Sequence, residues 1–124
     1  MTTQAKVKIF LDSNIFLRFL VPEDQTMFGQ CRQIFSLINE GKITPYISNI
    51  VLLEVVYTLG RTYKFSRSQI IKWLSDTKQL RNLTIIDKSS SEKAIEIFNK
   101  HNIKYGDCLI ATQVPKGVIL CTYD

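Results

Sequence analysis

The sequence predicts a single α/β domain of three layers, in which a mostly parallel central sheet of about four strands is flanked by helices on both faces. Short apolar runs alternate along the chain with longer segments whose apolar residues repeat at helical spacing. Apolar strands that are separated by helices favour a parallel sheet covered on both sides. The length of 124 residues suits one hydrophobic core, so residues 1–124 are expected to form one unit.

The first strand and the first two helices are predicted from apolar patterning and from the residues that end each segment. Residues 7–11 are an apolar run typical of a buried strand, and the helix Ser13–Leu20 is stopped by Pro22. A second helix follows and ends near Gly41, a typical residue after a helix. Its apolar stripe consists of Met27, Cys31, Ile34, Phe35 and Ile38.

A short strand over residues 45–47 precedes the third helix. Either Ser48 or Asn49 can cap this helix, which extends to about Lys64. The fourth helix opens with a capping box between Ser66 and Gln69. It is expected to direct its apolar side chains inward, namely Ile70, Ile71, Trp73 and Leu74.

The last part of the chain repeats the alternation of strand and helix. Residues 83–86 are predicted as a strand, and a second capping box between Ser89 and Glu92 opens the next helix. Apolar side chains follow in that helix at Ala94, Ile95 and Phe98. Gly106 precedes a short helix over residues 107–113, and residues 118–121 form the last strand.

Charge, apolar runs, cysteines and the single histidine limit the classes of function that this sequence can have. The formal net charge of +5 would suit a polyanionic partner such as nucleic acid, although a solvated basic surface explains it equally well. No segment has the roughly 20 apolar residues of a membrane span, so no membrane partner is expected. The three cysteines lack Cys-x-x-Cys spacing and lie in apolar runs, which indicates reduced thiols and a cytoplasmic protein. The single His101 argues against a histidine-rich metal site.

Four acidic residues occur in unusual settings. Asp12 ends the first apolar run, Glu54 interrupts a third-helix apolar run, Asp107 opens a helix, and Asp124 follows the last strand. Buried unpaired carboxylates are costly, so several together suggest a shared divalent cation with oxygen ligands. Two carboxylates about 4 Å apart repel by roughly 4 kcal/mol at an effective dielectric constant of about 20, and a bound Mg²⁺ or Mn²⁺ would relieve this repulsion. As the last residue, Asp124 alone also resembles a frayed polar terminus.

Ordinary structural roles compete with this interpretation. Asp12 and Asp107 each precede a helical segment and can serve as N-terminal caps. Glu54 can belong to a solvated helix stripe with Thr58 and Arg61. Both interpretations stay open for each acid taken alone.

Small polar residues accompany two of the acids. Ser13 and Asn14 follow Asp12 and can orient a carboxylate or cap the first helical turn, while Thr122 can support Asp124 by a hydrogen bond. Four tyrosines are candidates for stacking on nucleic-acid bases, although packing explains most of them as well: Tyr57, Tyr63, Tyr105 and Tyr123.

Four segments together resemble the PIN-domain nucleases, and the size and charge are similar to those of the VapC-like toxins of toxin–antitoxin pairs. The segments are Leu-Asp-Ser-Asn-Ile-Phe-Leu-Arg-Phe-Leu, Ser-Asn-Ile-Val-Leu-Leu-Glu-Val-Val, Tyr-Gly-Asp-Cys-Leu-Ile-Ala and Ile-Leu-Cys-Thr-Tyr-Asp. The resemblance implies a divalent-metal ribonuclease acting on single-stranded RNA, a homodimer and an antitoxin partner. It places the family's acids at Asp12, Glu54, Asp107 and Asp124, and its supporting polar residues at Ser13, Asn14 and Thr122.

On this basis, we expect Asp12 and Asp107 to bind Mg²⁺ or Mn²⁺ directly, with Glu54 and Asp124 acting through water or at a second position. The resemblance also implies a cut that leaves a 5′-phosphate and a 3′-hydroxyl. Family members usually continue past the last acid, whereas this sequence stops at Asp124, so the chain is expected to be either truncated or naturally short.

Two rival functions remain. A catalytically weak PIN-like domain could bind RNA or protein without cutting. Another α/β metal enzyme is disfavoured, since Asn14 replaces the second acid of a haloacid-type phosphatase and no glycine-rich phosphate loop is present.

Overall fold

The computed structural model describes residues 6–123 of the chain, and these residues form four strands and six helices. In chain order they are β1 (Val7–Leu11), α1 (Ser13–Leu20), α2 (Gln25–Asn39), β2 (Ile43–Ser48), α3 (Asn49–Arg61), α4 (Arg67–Lys78), β3 (Thr84–Ile86), α5 (Ser91–Lys100), α6 (Tyr105–Ala111) and β4 (Ile119–Cys121).

The four strands form one sheet in the order β3-β2-β1-β4, and each neighbouring pair is parallel. This arrangement confirms the predicted α/β fold with a parallel central sheet. In the pairing of β1 with β4, Leu11 lies opposite Cys121, and the Asp12 backbone N–H donates to the Cys121 carbonyl at 3.1 Å. The residues that follow both strands therefore meet at the carboxyl edge of the sheet.

Aromatic and aliphatic side chains form the core between the sheet and the helices. Phe10 and Leu11 of β1 are fully buried, and Phe16 of α1 contacts Phe35 and Trp73 with ring centroids 5.6 and 5.5 Å apart. These contacts join α1, α2 and α4, and Asp12 lies between β1 and the first of these helices. The core therefore fixes the backbone on which the carboxyl edge is built.

Several predicted helix ends agree with the structure. The Ser48 side chain accepts a hydrogen bond from the Val51 backbone at 3.2 Å, so Ser48 is the cap of α3. The capping box between Ser66 and Gln69 is present at the start of α4. Gly41 follows α2 with a φ of +78°, a left-handed conformation that glycine adopts without steric cost.

The second predicted capping box is wrong. Ser90, rather than Ser89, caps α5, because its side chain accepts from the Lys93 backbone N–H at 3.2 Å. Glu92 then lies in the first turn instead of the third helical position that a capping box requires. Three successive serines offer alternative caps, so the sequence pattern is ambiguous by one residue.

Two helix bounds also differ from the predictions. The third helix ends at Arg61 instead of near Lys64, whose φ of 59° is left-handed and incompatible with a continuing helix. The short helix α6 begins at Tyr105 rather than Asp107, so it includes Gly106 and ends before residue 113. Asp107 therefore lies within the first turn instead of before it.

The predicted inward face of α4 is correct only in part. Trp73 is buried, and Ile70 and Leu74 are half-buried against the core, but Ile71 is 52% exposed. Trp73 and Thr77 are the buried residues of this helix. Positions four apart share a helix face, and Ile71 lies away from that face.

The described helices include none that is long and apolar enough to span a bilayer. All three cysteines are free, with Cys31 and Cys108 buried and Cys121 half-buried.

Candidate functional site

Asp12 lies at the junction of β1 and α1, and it is buried with 6% of its surface exposed. Its backbone is extended, with φ of −76° and ψ of 164°, which turns the chain from the strand into the helix. One carboxylate oxygen, Oδ1, accepts from the Ser13 backbone N–H at 2.8 Å. Asp12 is therefore the N-terminal cap of α1, as one of the two interpretations expected.

Capping does not account for the second oxygen of Asp12. The Thr122 hydroxyl donates to Asp12 Oδ2 at 2.7 Å, and the Asn14 side-chain amide donates to the Thr122 hydroxyl oxygen at 3.0 Å. The Asn14 side-chain oxygen Oδ1 accepts from the Tyr123 backbone N–H at 3.2 Å. This chain of bonds joins the ends of β1 and β4 and fixes the orientation of the carboxylate. Thr122 supports Asp12, whereas the sequence suggested support for Asp124.

Glu54 lies on α3 and is half-buried, which disagrees with a fully solvated stripe. The Ser13 hydroxyl donates to Glu54 Oε2 at 3.0 Å. Burial raises the pKa of Glu54, the Ser13 hydrogen bond lowers it, and the charges of Asp107 and Asp12 raise it. Carboxylates on three separate elements thus act on one another through space.

Asp107 lies in the first turn of α6, and Lys104 occupies the N-terminal cap position without a side-chain hydrogen bond. The expectation that Asp107 caps this helix is therefore wrong. Asp107 lines a cleft of about 430 Å³ with Glu54 and Ser13, and a second cleft of about 230 Å³ with Asp12. Asp107 thus shares one cleft with Glu54 and the other with Asp12.

Gly106 permits the close approach of α6 to Glu54. A Cβ atom at this position would lie 2.9 Å from Glu54 Oε1, which is closer than ordinary van der Waals contact. In the sequence, Gly106 is recognisable only as a residue that precedes a helix. A glycine next to an acid is a weak signal, because its packing partner is far away along the chain.

The two clefts have different walls. The larger one is lined by Ser13, Leu17, Glu54, Tyr57, Thr58, Lys104, Gly106 and Asp107. The smaller one combines Asp12, Asp107 and Thr122 with the apolar side chains of Ile103, Ile110, Ala111 and Leu120. Carboxylate oxygens therefore line both openings, and a lysine lines one of them.

The acids of the site supply only oxygen donors, which suits a hard cation. Among residues 6–123, however, no group of three or more Asp, Glu, His or Cys side chains is close enough to hold a metal ion. Mg²⁺ usually keeps several waters and binds through one or two carboxylates, so a pair of acids is a sufficient protein contribution. Asp12 and Asp107, which line the same cleft, fit that requirement.

Asp124 lies outside the described residues. The four candidate tyrosines for base stacking differ in their surroundings. Tyr63 packs against the core, the Tyr123 hydroxyl donates to the Met27 carbonyl at 3.2 Å, and Tyr105 packs edge-on against Phe98. Tyr57 is exposed and lines the larger cleft.

Comparisons with known proteins agree with this architecture. Residues 9–117 match the sequence model of the PIN domain. A chain in the crystal structure of VapBC2 from Rickettsia felis, bound to a DNA fragment from their promoter, is similar with a TM-score of 0.60 and 21% sequence identity. The match covers 95% of the chain described above and 100% of that chain. No protein of curated function matches significantly.

Proposed function

Since the chain belongs to the PIN-domain family, we propose that it is a divalent-metal-dependent endoribonuclease that hydrolyses phosphodiester bonds of RNA. The observation that carries this proposal is the meeting of Asp12 and Asp107 in one cleft at the carboxyl edge of the sheet. In open α/β sheets, ligands bind beyond the carboxyl ends of the strands. Glu54, whose pKa both acids raise, adds a third carboxylate to the same region.

Asp12 and Asp107 would hold the Mg²⁺ or Mn²⁺ ion directly, and Glu54 and Asp124 would act through water or at a second position. When bound, such an ion polarises a phosphodiester oxygen and lowers the pKa of a coordinated water. Both oxygens of Asp12 already accept hydrogen bonds, yet a carboxylate has about four lone-pair sites and retains acceptor capacity.

The remaining residues orient the acids and move a proton. Thr122 and Asn14 restrict the orientation of the Asp12 carboxylate through this chain of hydrogen bonds. Ser13 holds Glu54 by its hydroxyl, and Glu54 is placed as the carboxylate that would accept a proton from an attacking water. The proposed product ends are a 5′-phosphate and a 3′-hydroxyl.

The proposal extends to the biological context. The chain would be the toxin of a toxin–antitoxin pair and a cytoplasmic homodimer, with an antitoxin that blocks the site. The similarity in fold to a chain of the VapBC2 complex supports the antitoxin partner. Three free cysteines are consistent with a reducing compartment. Light scattering of the purified protein tests the dimer, which a monomeric mass at micromolar concentration contradicts.

A binding module without catalysis is the second candidate, and one observation favours it. The larger cleft presents the exposed Tyr57 ring and Lys104, which are groups that can hold RNA without any metal. A pure binding protein would hold RNA without any need for divalent ions and would leave the RNA intact when they are added. A nuclease would cut it only when such ions are supplied.

The deciding experiment uses end-labelled single-stranded RNA and purified protein. We expect cutting with Mg²⁺ or Mn²⁺, none with excess EDTA, and recovery when the ion is restored. Asp12→Asn and Asp107→Asn should remove cleavage while far-ultraviolet circular dichroism stays unchanged. Cleavage that persists in EDTA, or in both variants, contradicts the proposal.

A further inference from the structure

Tyr57 is a large aromatic side chain that is left exposed beside the proposed catalytic acids. It lies on α3, three positions after Glu54, and 61% of its surface is exposed. Residues three apart are neighbours on a helix surface, so Tyr57 and Glu54 lie on the same face of α3. Both side chains line the cleft of about 430 Å³, a volume typical of small-molecule binding sites.

A positive charge lies in the same cleft. Lys104 is exposed just before α6 and lines the cleft together with Tyr57 and Asp107. Its charge lowers the pKa of Glu54, so the two groups are close enough to interact electrostatically. The cleft therefore combines an aromatic ring, a cation and carboxylates, which are the groups that recognise a base, a phosphate and a metal ion.

We propose that this cleft binds one nucleotide of single-stranded RNA, an inference that rests on the proposed function. The base would stack on Tyr57, and Lys104 would contact an adjacent phosphate. Aromatic stacking does not depend on base identity, because every base presents a π face. The contact would hold the strand so that a neighbouring phosphodiester faces the acids. Tyr57 would thus position the substrate and would not take part in bond cleavage.

A second exposed apolar side chain on α3 raises a competing explanation for the exposure of Tyr57. Leu53 is 63% exposed one turn before Tyr57. Two exposed apolar side chains on one helix can also mark a contact between two copies of the chain. The presence of Lys104 and the acids around Tyr57 favours a nucleotide, since interface centres are depleted of charge.

The test measures binding without cutting. The probe is a five-nucleotide RNA with 2-aminopurine flanked by uridines, titrated with protein in EDTA, so that metal-dependent cleavage cannot occur. Stacking on Tyr57 should quench the 2-aminopurine fluorescence. Tyr57→Leu should abolish the quenching and raise the Kd about 5- to 150-fold, whereas Tyr57→Phe should keep the quenching and the wild-type Kd. Phe98→Leu, which removes an exposed ring outside this cleft, is the matched control and should bind as the wild type does.

The phosphate contact has its own readout. Lys104→Gln should reduce the slope of log Kd against log salt by about 0.7, the value for one phosphate of a single strand. Lys78→Gln, an exposed lysine on α4 that does not line the cleft, should leave the slope unchanged. Equal slopes for the Lys104 variant and the wild type overturn the phosphate assignment.

These outcomes separate the nucleotide site from the nuclease proposal. A protein that binds the probe through Tyr57 but never cuts RNA contradicts the nuclease and leaves the nucleotide site intact. A protein that cuts RNA while Tyr57→Leu binds and quenches normally contradicts the nucleotide site alone. Tyr57→Leu can also convert a dimer to a monomer, as measured by light scattering, while the affinity for the probe stays unchanged. That result would place Tyr57 in the contact between two copies and would overturn the nucleotide site.

Discussion

Ser13 and Glu54 are 41 positions apart in the sequence, and the Ser13 hydroxyl donates a hydrogen bond of 3.0 Å to Glu54 Oε2. The same serine donates its backbone N–H to Asp12 Oδ1. One residue therefore contacts carboxylates on two elements, the end of β1 and the middle of α3. This relationship makes Ser13 a structural link between two of the proposed catalytic acids.

Removal of the Ser13 hydroxyl should raise the pKa of Glu54 further. The hydrogen bond favours the ionised carboxylate and partly opposes the effect of burial, so Ser13→Ala leaves burial unopposed. The acid limb of the pH profile of RNA cleavage should move to higher pH, and Ser13→Thr should restore it. Ser75→Ala, on the exposed surface of α4, is the control. An acid limb that stays in place in Ser13→Ala contradicts the assigned role.

Ionised Glu54 should reduce the stability of the metal-free fold. Its pKa in the folded protein lies above that of the unfolded chain, so the folded state binds the proton more tightly and stability falls as pH rises between the two pKa values. Glu54→Gln removes this penalty and should increase the free energy of unfolding at pH 7 in EDTA. The gain should vanish below about pH 4, where the carboxyl is protonated in both states.

Urea denaturation across this pH range measures the effect of Glu54→Gln. Glu96→Gln, an exposed glutamate on α5, is the matched control and should change the free energy of unfolding by no more than about 0.5 kcal/mol at any pH. A Glu54→Gln variant that is less stable than the wild type at pH 7 contradicts the unfavourable burial of this carboxylate.

Thr122→Val should destabilise the protein by roughly 1–3 kcal/mol. Valine has nearly the shape of threonine but no hydroxyl, so the buried Asp12 carboxylate loses one of its hydrogen bonds. Thr122→Ser, which retains the hydroxyl, should recover most of this loss. Thermal denaturation in EDTA provides the comparison without any contribution from metal. Equal midpoints for the valine and serine variants would show that the hydroxyl contributes little.

Gly106→Ala should reduce RNA cleavage while leaving the protein folded. The added Cβ would lie 2.9 Å from Glu54 Oε1, the end of a flexible side chain, so Glu54 can rotate away without unfolding the protein. We expect a small change in Tm and a loss of cleavage of about tenfold to a hundredfold. Gly29→Ala, inside α2 with no atom within 4 Å of the new Cβ, should stabilise by about 0.5–1 kcal/mol and keep full activity. Full activity in Gly106→Ala contradicts a requirement for the position of Glu54.

The sequence predicted the parallel sheet and the end of β1 because apolar runs and helical stripes are local patterns. The meeting of Asp12 with Thr122 depends on the pairing of β1 with β4, and strand order is not a local property. The start of α6 was misplaced because Lys104 provides no side-chain cap that a sequence pattern could identify.

Distant packing explains the other omissions. Gly106 lies close to Glu54 only because α6 packs near α3 in the folded protein. The residues next to Gly106 in the sequence do not reveal this requirement for a glycine. The apolar side chain of Ile71 predicts an inward position, but the face of α4 toward the core is occupied by Trp73 and Thr77. Exposure of an apolar residue is ordinary on protein surfaces, so composition alone does not reveal it.

The central claim is that Asp12 and Asp107 together bind a divalent cation, and Mn²⁺ titration monitored by electron paramagnetic resonance tests it most directly. Mn²⁺ that binds to the protein loses its sharp signal, so the signal reports the free ion. The matched control is Asp76→Asn, since Asp76 forms an exposed surface ion pair with Lys72 at 3.1 Å. We predict that the wild type and Asp76→Asn bind Mn²⁺, and that Asp12→Asn and Asp107→Asn lose this binding while remaining folded. Equal Mn²⁺ affinity in all four proteins would contradict the claim.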